Sequence, residues 1–151
     1  MMNQSKVNEA VACFKDGFNC SQAVFSTYCE DLGLDKKTAL QIACGFGAGM
    51  GRLQETCGAV TGAYLLIGLK YGKFLKDDEP AKERTYALIQ EFSKRFTERN
   101  KSTKCRELLG VDLITGDQQT VSERVKTICP QMVQNAAEII EQLLFSDIVL
   151  T

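Results

Sequence analysis

Seven cysteines and no histidine make the thiol the centre of any chemistry in this chain. Cys20 follows Asn19, Cys57 follows Thr56, Cys105 lies three residues after Ser102, and Cys129 immediately precedes Pro130. Asn, Thr and Ser are N-cap residues, and Pro favours the first helical turn. These four cysteines are therefore expected at helix N-termini. A helix start offers unpaired N–H groups and a partial positive charge, both of which favour thiolate over thiol. Thiolate is the form that binds metals and attacks disulfides. Cys13, Cys29 and Cys44 fall inside or late in helices and read as core filler.

The absences narrow the chemistry. Without His there is no Ser-His-Asp or Cys-His catalysis, no His-ligated haem and no Cys/His zinc finger. No Cys-x-x-Cys pair occurs, which removes thioredoxin-type motifs, zinc ribbons and c-type haem attachment. Tens of residues separate the four cysteines, so only the fold can bring them together. Several uses remain open. Four thiolates suit a two-iron or four-iron iron–sulfur cluster. The same residues suit metal-free thiol–disulfide exchange, with a lowered-pKa Cys57 attacking, a second cysteine such as Cys20 resolving, and Arg106 keeping positive charge near Cys105. They also suit a structural four-cysteine zinc site in a binding or scaffold protein, or inert packing. The glycine run Gly45 to Gly51 lacks Gly-Lys-Ser/Thr and the GxGxxG spacing, and reads as a tight turn rather than a phosphate loop. Its N–H groups, at Gly47 and Gly49, are candidates to face cluster sulfurs, and Gly58 would let backbone approach closely.

The elements that must position these residues are helical. Val7, Ala10, Val11 and Phe14 keep helical spacing up to Gly17. A second helix runs from Cys20 to about Leu32, and Asp35 caps a third that dissolves into the glycine run. Thr56 caps a fourth, whose Gly58, Gly62 and small apolar face suggest a central, closely packed position. Asp78 or Glu79, with Pro80, opens a fifth, with Tyr86, Ile89, Phe92 and Phe96 as its apolar positions. Ser102 caps a short sixth, Lys104 to Leu109. Another helical segment begins near Val121, and Pro130 starts or kinks the last helix, with Val133, Ala136, Ala137, Ile140 and Leu144 facing the core. Strand-like alternation is scarce, so the expectation is an all-α antiparallel bundle of six to seven helices in one domain over 1–151.

A chain of 151 residues buries enough surface to fold without disulfides. Its net charge of −1 argues against nucleic acid as a partner. No apolar run reaches the ~20 residues of a membrane span and no signal peptide is evident, which suggests a cytoplasmic protein with no membrane insertion. The apolar segment Leu143 to Leu150 either packs on its own domain or docks on a second subunit, so a homodimer is an expectation.

The stretches Gly17-Phe18-Asn19-Cys20-Ser21-Gln22-Ala23, Gly45 to Gly51, Glu55-Thr56-Cys57-Gly58-Ala59-Val60-Thr61-Gly62, Gly68-Leu69-Lys70-Tyr71-Gly72, Cys105-Arg106-Glu107-Leu108-Leu109-Gly110 and Cys129 occur together in this order. In these the chain resembles the C_GCAxxG_C_C family of redox-active proteins over roughly Val7 to Leu144. The family's cysteines correspond to Cys20, Cys57, Cys105 and Cys129. One position departs: Gln54 stands where the family pattern has a glycine before Glu-Thr-Cys, which bears on the geometry of that turn. The resemblance implies a redox role, an iron–sulfur cluster as the first cofactor to consider, and redox partner proteins in electron-transfer or transport systems. It implies no defined reaction or substrate.

Overall fold

A computed structural model describes residues 4–146 and contains seven helices and no strand among them. The helices are α1 (Val7–Lys15), α2 (Cys20–Tyr28), α3 (Lys36–Cys44), α4 (Gly58–Tyr71), α5 (Glu79–Asn100), α6 (Cys105–Leu109) and α7 (Gln118–Leu144). The all-α class and the number of helices match the expectation.

Side-chain caps set most of the starts. Asn19 accepts from Gln22 N while the Gln22 side chain accepts from Asn19 N, a reciprocal capping box that fixes Cys20 as the first residue of α2. Asp35, Asp78 and Asp117 each accept an N–H three residues on, from Thr38, Ala81 and Thr120. The α-helical part of α2 ends at Tyr28. A 3₁₀ turn, Glu30–Leu32, then closes on Gly33 in the left-handed region.

Four expectations change. The N-cap of α6 is Lys104, not Ser102, and no side chain caps that helix. The N-cap of α4 is Cys57 itself, not Thr56, and no side chain caps this helix. Thr56 is instead paired antiparallel with Lys104. Pro130 neither starts nor ends a helix: α7 runs unbroken from Gln118 to Leu144 and carries it inside. A proline there costs one backbone hydrogen bond. The buried residues beyond it (Met132, Val133, Ala136, Ala137, Ile139, Ile140 and Leu144) hold the helix together by tertiary packing. Cys129 is consequently a mid-helix residue. Cys44 is exposed rather than core filler, whereas Cys29 is buried.

The core forms where α2 packs on α4, α1 on α7, and α5 on both α4 and α7. Val24, Phe25 and Tyr28 of α2 meet Val60, Leu66 and Ile67 of α4, Phe92 and Phe96 of α5, and Val133, Ile139 and Ile140 of α7 in one cluster. Tyr86 is exposed and lies outside it. α4 is apolar on nearly every side, as a central helix must be. It approaches α2 closely through Gly62, where a Cβ would stand 2.8 Å from the Ser21 carbonyl oxygen. Leu144 and Phe145 are buried in their own domain, Phe145 stacked on Tyr28 with centroids 5.6 Å apart. The remaining apolar tail, Asp147 to Thr151, lies outside the described residues. No described helix is long and apolar enough to cross a membrane.

Candidate functional site: four cysteines on one cavity

Cys20, Cys57, Cys105 and Cys129 all line one cavity of about 580 Å³. They arrive from four elements: the first residue of α2, the N-cap of α4, the first residue of α6 and the middle of α7. Leu108, Val121, Val125, Ile128 and Met132 make the rest of the lining largely aliphatic, while Asn19, Arg52, Gln118 and Ser122 supply polar groups. Cys13, Cys29 and Cys44 do not line it.

Backbone hydrogen bonds explain how residues so far apart in sequence converge. Cys57 N donates to Thr103 O at 2.7 Å, and Cys105 N donates to Glu55 O at 2.7 Å. Arg106 N also donates, to Gln54 O at 3.2 Å. The segments entering α4 and α6 thus run antiparallel as a short ladder that places Cys57 beside Cys105. Cys20 is brought up by the α2–α4 packing. A Cβ on Gly58 would sit 2.4 Å from Cys20 Sγ, so only glycine lets that sulfur lie against the start of α4.

Between α3 and α4 the chain makes a left-handed turn. Ala48, Gly49, Met50, Gly51 and Arg52 all have φ between 56° and 70°. Such backbone costs roughly 1–2 kcal/mol per residue carrying a Cβ, and it rarely persists beyond single positions. Contacts hold it here. Gly51 N donates to Gly47 O and Glu55 N to Gly49 O, each at 2.9 Å. Gly49 is wedged so tightly that a Cβ would meet Cys105 Cβ at 2.7 Å and Gln54 Cα at 2.6 Å. Gly47 packs on the Asn19 side chain. Neither Gly47 nor Gly49 lines the cavity: these two, read from sequence as groups facing a cofactor, support the residues that do. Ala48 lines it instead, and its N–H donates to the Cys20 sulfur.

Gln54 is the site residue that sequence reading undervalued. It too is left-handed, with φ 58°. Its buried side chain donates to Val111 O at 2.8 Å and accepts from Leu113 N at 2.9 Å, tying the loop after α6 to the turn before α4. These two bonds offset the backbone strain.

The electrostatics separate the four thiols. Cys20 is lowered from 9.0 to about 6, first by the Cys57 thiol donating to it and then, against burial, by N–H groups of Ala48, Ser21 and Cys20 itself. Cys57 is pushed the other way by the same hydrogen bond, by burial and by the charge on Cys20. Burial raises Cys105 to about 11 and Cys129 to about 12, with the Cys20 charge adding to both. The expectation of four low-pKa thiols at helix starts is therefore corrected. Only Cys20 is low, and Cys57 is the donor to a thiolate rather than the attacking thiolate. The reasons are physical. Cys129 has no helix start to help it, and the first N–H groups of α6 are spent on Glu55 and Gln54. Arg106, which donates to Leu53 O, lowers Cys105 only weakly against burial.

The conserved-motif model described as "Putative redox-active protein (C_GCAxxG_C_C)" matches residues 18–143, which takes in all four cavity cysteines and the left-handed turn. The chain belongs to this family. No curated protein and no solved structure matches it. In this member of the C_GCAxxG_C_C family the Gly-Ala-x-x-Gly stretch after Cys57 has a packing role as well: Gly58 admits the Cys20 sulfur and Gly62 admits the α2 backbone.

Proposed function

We propose that this protein is an electron carrier that binds an iron–sulfur cluster through Cys20, Cys57, Cys105 and Cys129. The observation that carries this reading is that four thiols from four separate elements line one cavity. Packing alone gives no reason for that convergence, and a dithiol would need only two of them. The donor set fits the group in kind and number. Among the described residues no three of His, Cys, Asp and Glu are gathered closely enough to hold a metal ion as the side chains stand, so binding would have to draw the four thiols together. A two-iron centre takes two thiolates per iron, and the four cavity cysteines would supply that number.

When bound, such a cluster supplies reversible one-electron oxidation and reduction. The chain supplies the rest. The N–H groups of Ala48 and Ser21 that donate to Cys20 reduce charge density on that sulfur and favour the reduced state. Leu108, Val125, Ile128 and Met132 keep water from one side of the site. Cys105 and Cys129, held as thiols by burial, would have to release their protons to solvent to coordinate a metal, so loading would strengthen with rising pH. A cytoplasmic setting and a redox partner protein belong to the same proposal. They follow from the unpaired thiols and from a carrier's need for a donor and an acceptor.

Anaerobic purification with a visible spectrum and iron, sulfide and zinc analysis tests it. The expected result is a brown protein containing iron and sulfide and bleached by dithionite. A colourless protein that takes up no iron and sulfide on reconstitution overturns the reading, as does one holding a single zinc.

A further inference from the structure

The cavity extends well past the cysteines. From α7 it is lined by Gln118, Val121, Ser122, Val125 and Cys129, at the three- and four-residue steps that keep to one helix face. Gln118 and Cys129 stand about 16 Å apart along the axis, at roughly 1.5 Å per residue. Metal–thiolate bonds are only about 2.3 Å long, so a cluster stays beside the sulfurs and leaves the Gln118–Val125 end of the lining uncovered. The core does not seal that end either. No α7 residue from Gln118 to Gln131 is buried, whereas most from Met132 to Leu144 are. Val121, Val125 and Ile128 are half-buried and turn apolar surface to the cavity, and Ile114, also in the lining, is 70% exposed.

The charge of this lining has one sign. It holds no Asp or Glu, and Arg52 is its one cationic side chain among the described residues. Arg52 is exposed and joins no ion pair among the described residues. Its backbone is left-handed, φ 69°, which any residue with a Cβ resists. Gln54, strained in the same way, has its side chain bonded to Val111 O and Leu113 N. Those two bonds tie the turn that carries Arg52 to the loop that carries Leu113 and Ile114. A strained, unpaired cation on a cavity wall is placed for a ligand rather than for packing. We propose that this part of the cavity binds a small organic anion with an apolar body, of the medium-chain carboxylate class, its head group on Arg52 and its chain along Val121, Val125 and Ile128. A guanidinium meets a carboxylate through two parallel N–H···O bonds. The aliphatic lining takes a chain that has no hydrogen bonds to satisfy, and about 580 Å³ lies within the roughly 300–1,000 Å³ of small-molecule sites. The ligand forms no bond to sulfur, so this site does not rest on the cluster reading.

The test titrates the full chain, purified under reducing conditions, with butanoate, hexanoate, octanoate and neutral octanol. Calorimetry reads the affinity and methyl NMR locates the site. Affinity should rise by up to roughly fourfold for each added methylene, with shifts at Val121, Val125, Ile128 and Met132. Arg52→Gln should weaken octanoate about tenfold, the usual order for a hydrogen-bonded charge, and leave octanol unchanged. Val125→Gln should weaken both. Lys126→Gln, on the same helix but outside the cavity, should change neither. Octanoate that binds no tighter than butanoate would overturn the proposal. So would shifts confined to the separate apolar groove around Ile42, Leu65 and Leu69, or an Arg52→Gln loss that octanol shares equally. Iron and sulfide uptake is measured on the same preparation. Uptake without octanoate binding overturns this site alone, and octanoate binding without uptake overturns the cluster reading alone.

Discussion

A thiol's place on a helix matters less here than what its sulfur and its N–H neighbours already bond to. Cys20 and Cys57 both sit at helix starts, yet one is lowered and the other raised, because Cys57 donates its hydrogen to Cys20 and a shared proton can lower only one partner. The sign of the pH dependence follows. A pKa lowered from 9.0 to about 6 means that the folded chain without a cluster prefers the Cys20 thiolate. That preference adds no stability below pH 6, grows between 6 and 9, and is fully present above 9. Above 9 the raised Cys57, Cys105 and Cys129 work in the opposite direction, because the unfolded chain then ionises thiols that the folded chain keeps protonated. Alkylation of the cluster-free protein with iodoacetamide, read site by site from peptides across pH, should show Cys20 becoming reactive near pH 6 while Cys57, Cys105 and Cys129 stay unreactive until above 9. In Cys57→Ala the largest cause of the shift is gone, and the onset at Cys20 should move upward toward the ordinary range. An unmoved onset would mean that the N–H groups of Ala48 and Ser21, not the neighbouring thiol, set it.

At the scale of elements, the site depends on two close approaches that glycines permit, and not every glycine of α4 takes part. Gly62 faces α2, where an added Cβ would stand 2.8 Å from Ser21 O and 3.2 Å from Val24 Cβ. Neither helix can shift without moving Cys20 against Cys57. Gly68 lies on the same helix with open space at its Cβ position and ordinary helical backbone. Gly62→Ala should therefore destabilise by about 1–3 kcal/mol, the usual range for overpacking a close contact. Gly68→Ala should stabilise by about 0.4–1 kcal/mol, because alanine loses less freedom on folding. Urea-unfolding midpoints of the two variants check this. Equal losses would show that α4 is uniformly crowded and that the Gly58–Gly62 face has no special part in the α2–α4 contact. The sequence carried much of this: glycines spaced along an apolar helix signalled close packing, and the Asp and Asn caps marked most helix starts. Pro130 misled, because the local rule that proline opens helices was outweighed by the buried residues on its C-terminal side, and Cys129 lost its expected helix start with it. The left-handed turn was unreadable in detail, since Ala48, Met50 and Arg52 adopt a conformation that only surrounding contacts make tolerable.

For the whole molecule, the site is set into the edge of the core, with Cys20, Cys57 and Met132 belonging to both. The residues that hold the bundle together, such as Phe92, Phe96, Ile67, Val133 and Ile140, do not line the cysteine cavity. A second anchor lies at the far end of α7, where Glu141 accepts from Lys6 N at 2.7 Å, from Tyr28 Oη at 2.9 Å and from Ser5 Oγ at 3.1 Å, joining α1, α2 and α7. No single stretch of sequence shows either arrangement. Convergence of the four cysteines depends on the 54–57 and 103–106 pairing and on the α2–α4 contact, both of them long-range. That most of the core lies away from the cavity has a thermodynamic consequence. Small metal domains that lack a core are unfolded without their metal, whereas this chain buries a continuous apolar cluster that asks nothing of a cofactor. The chain stripped of metal and fully reduced should keep its helical circular dichroism and unfold cooperatively on heating. Loading the site should then raise the midpoint in proportion to the logarithm of free ligand, as binding to the folded state alone requires. Loss of cooperative unfolding on removal of iron would instead mean that the apolar cluster does not hold the fold without the cofactor.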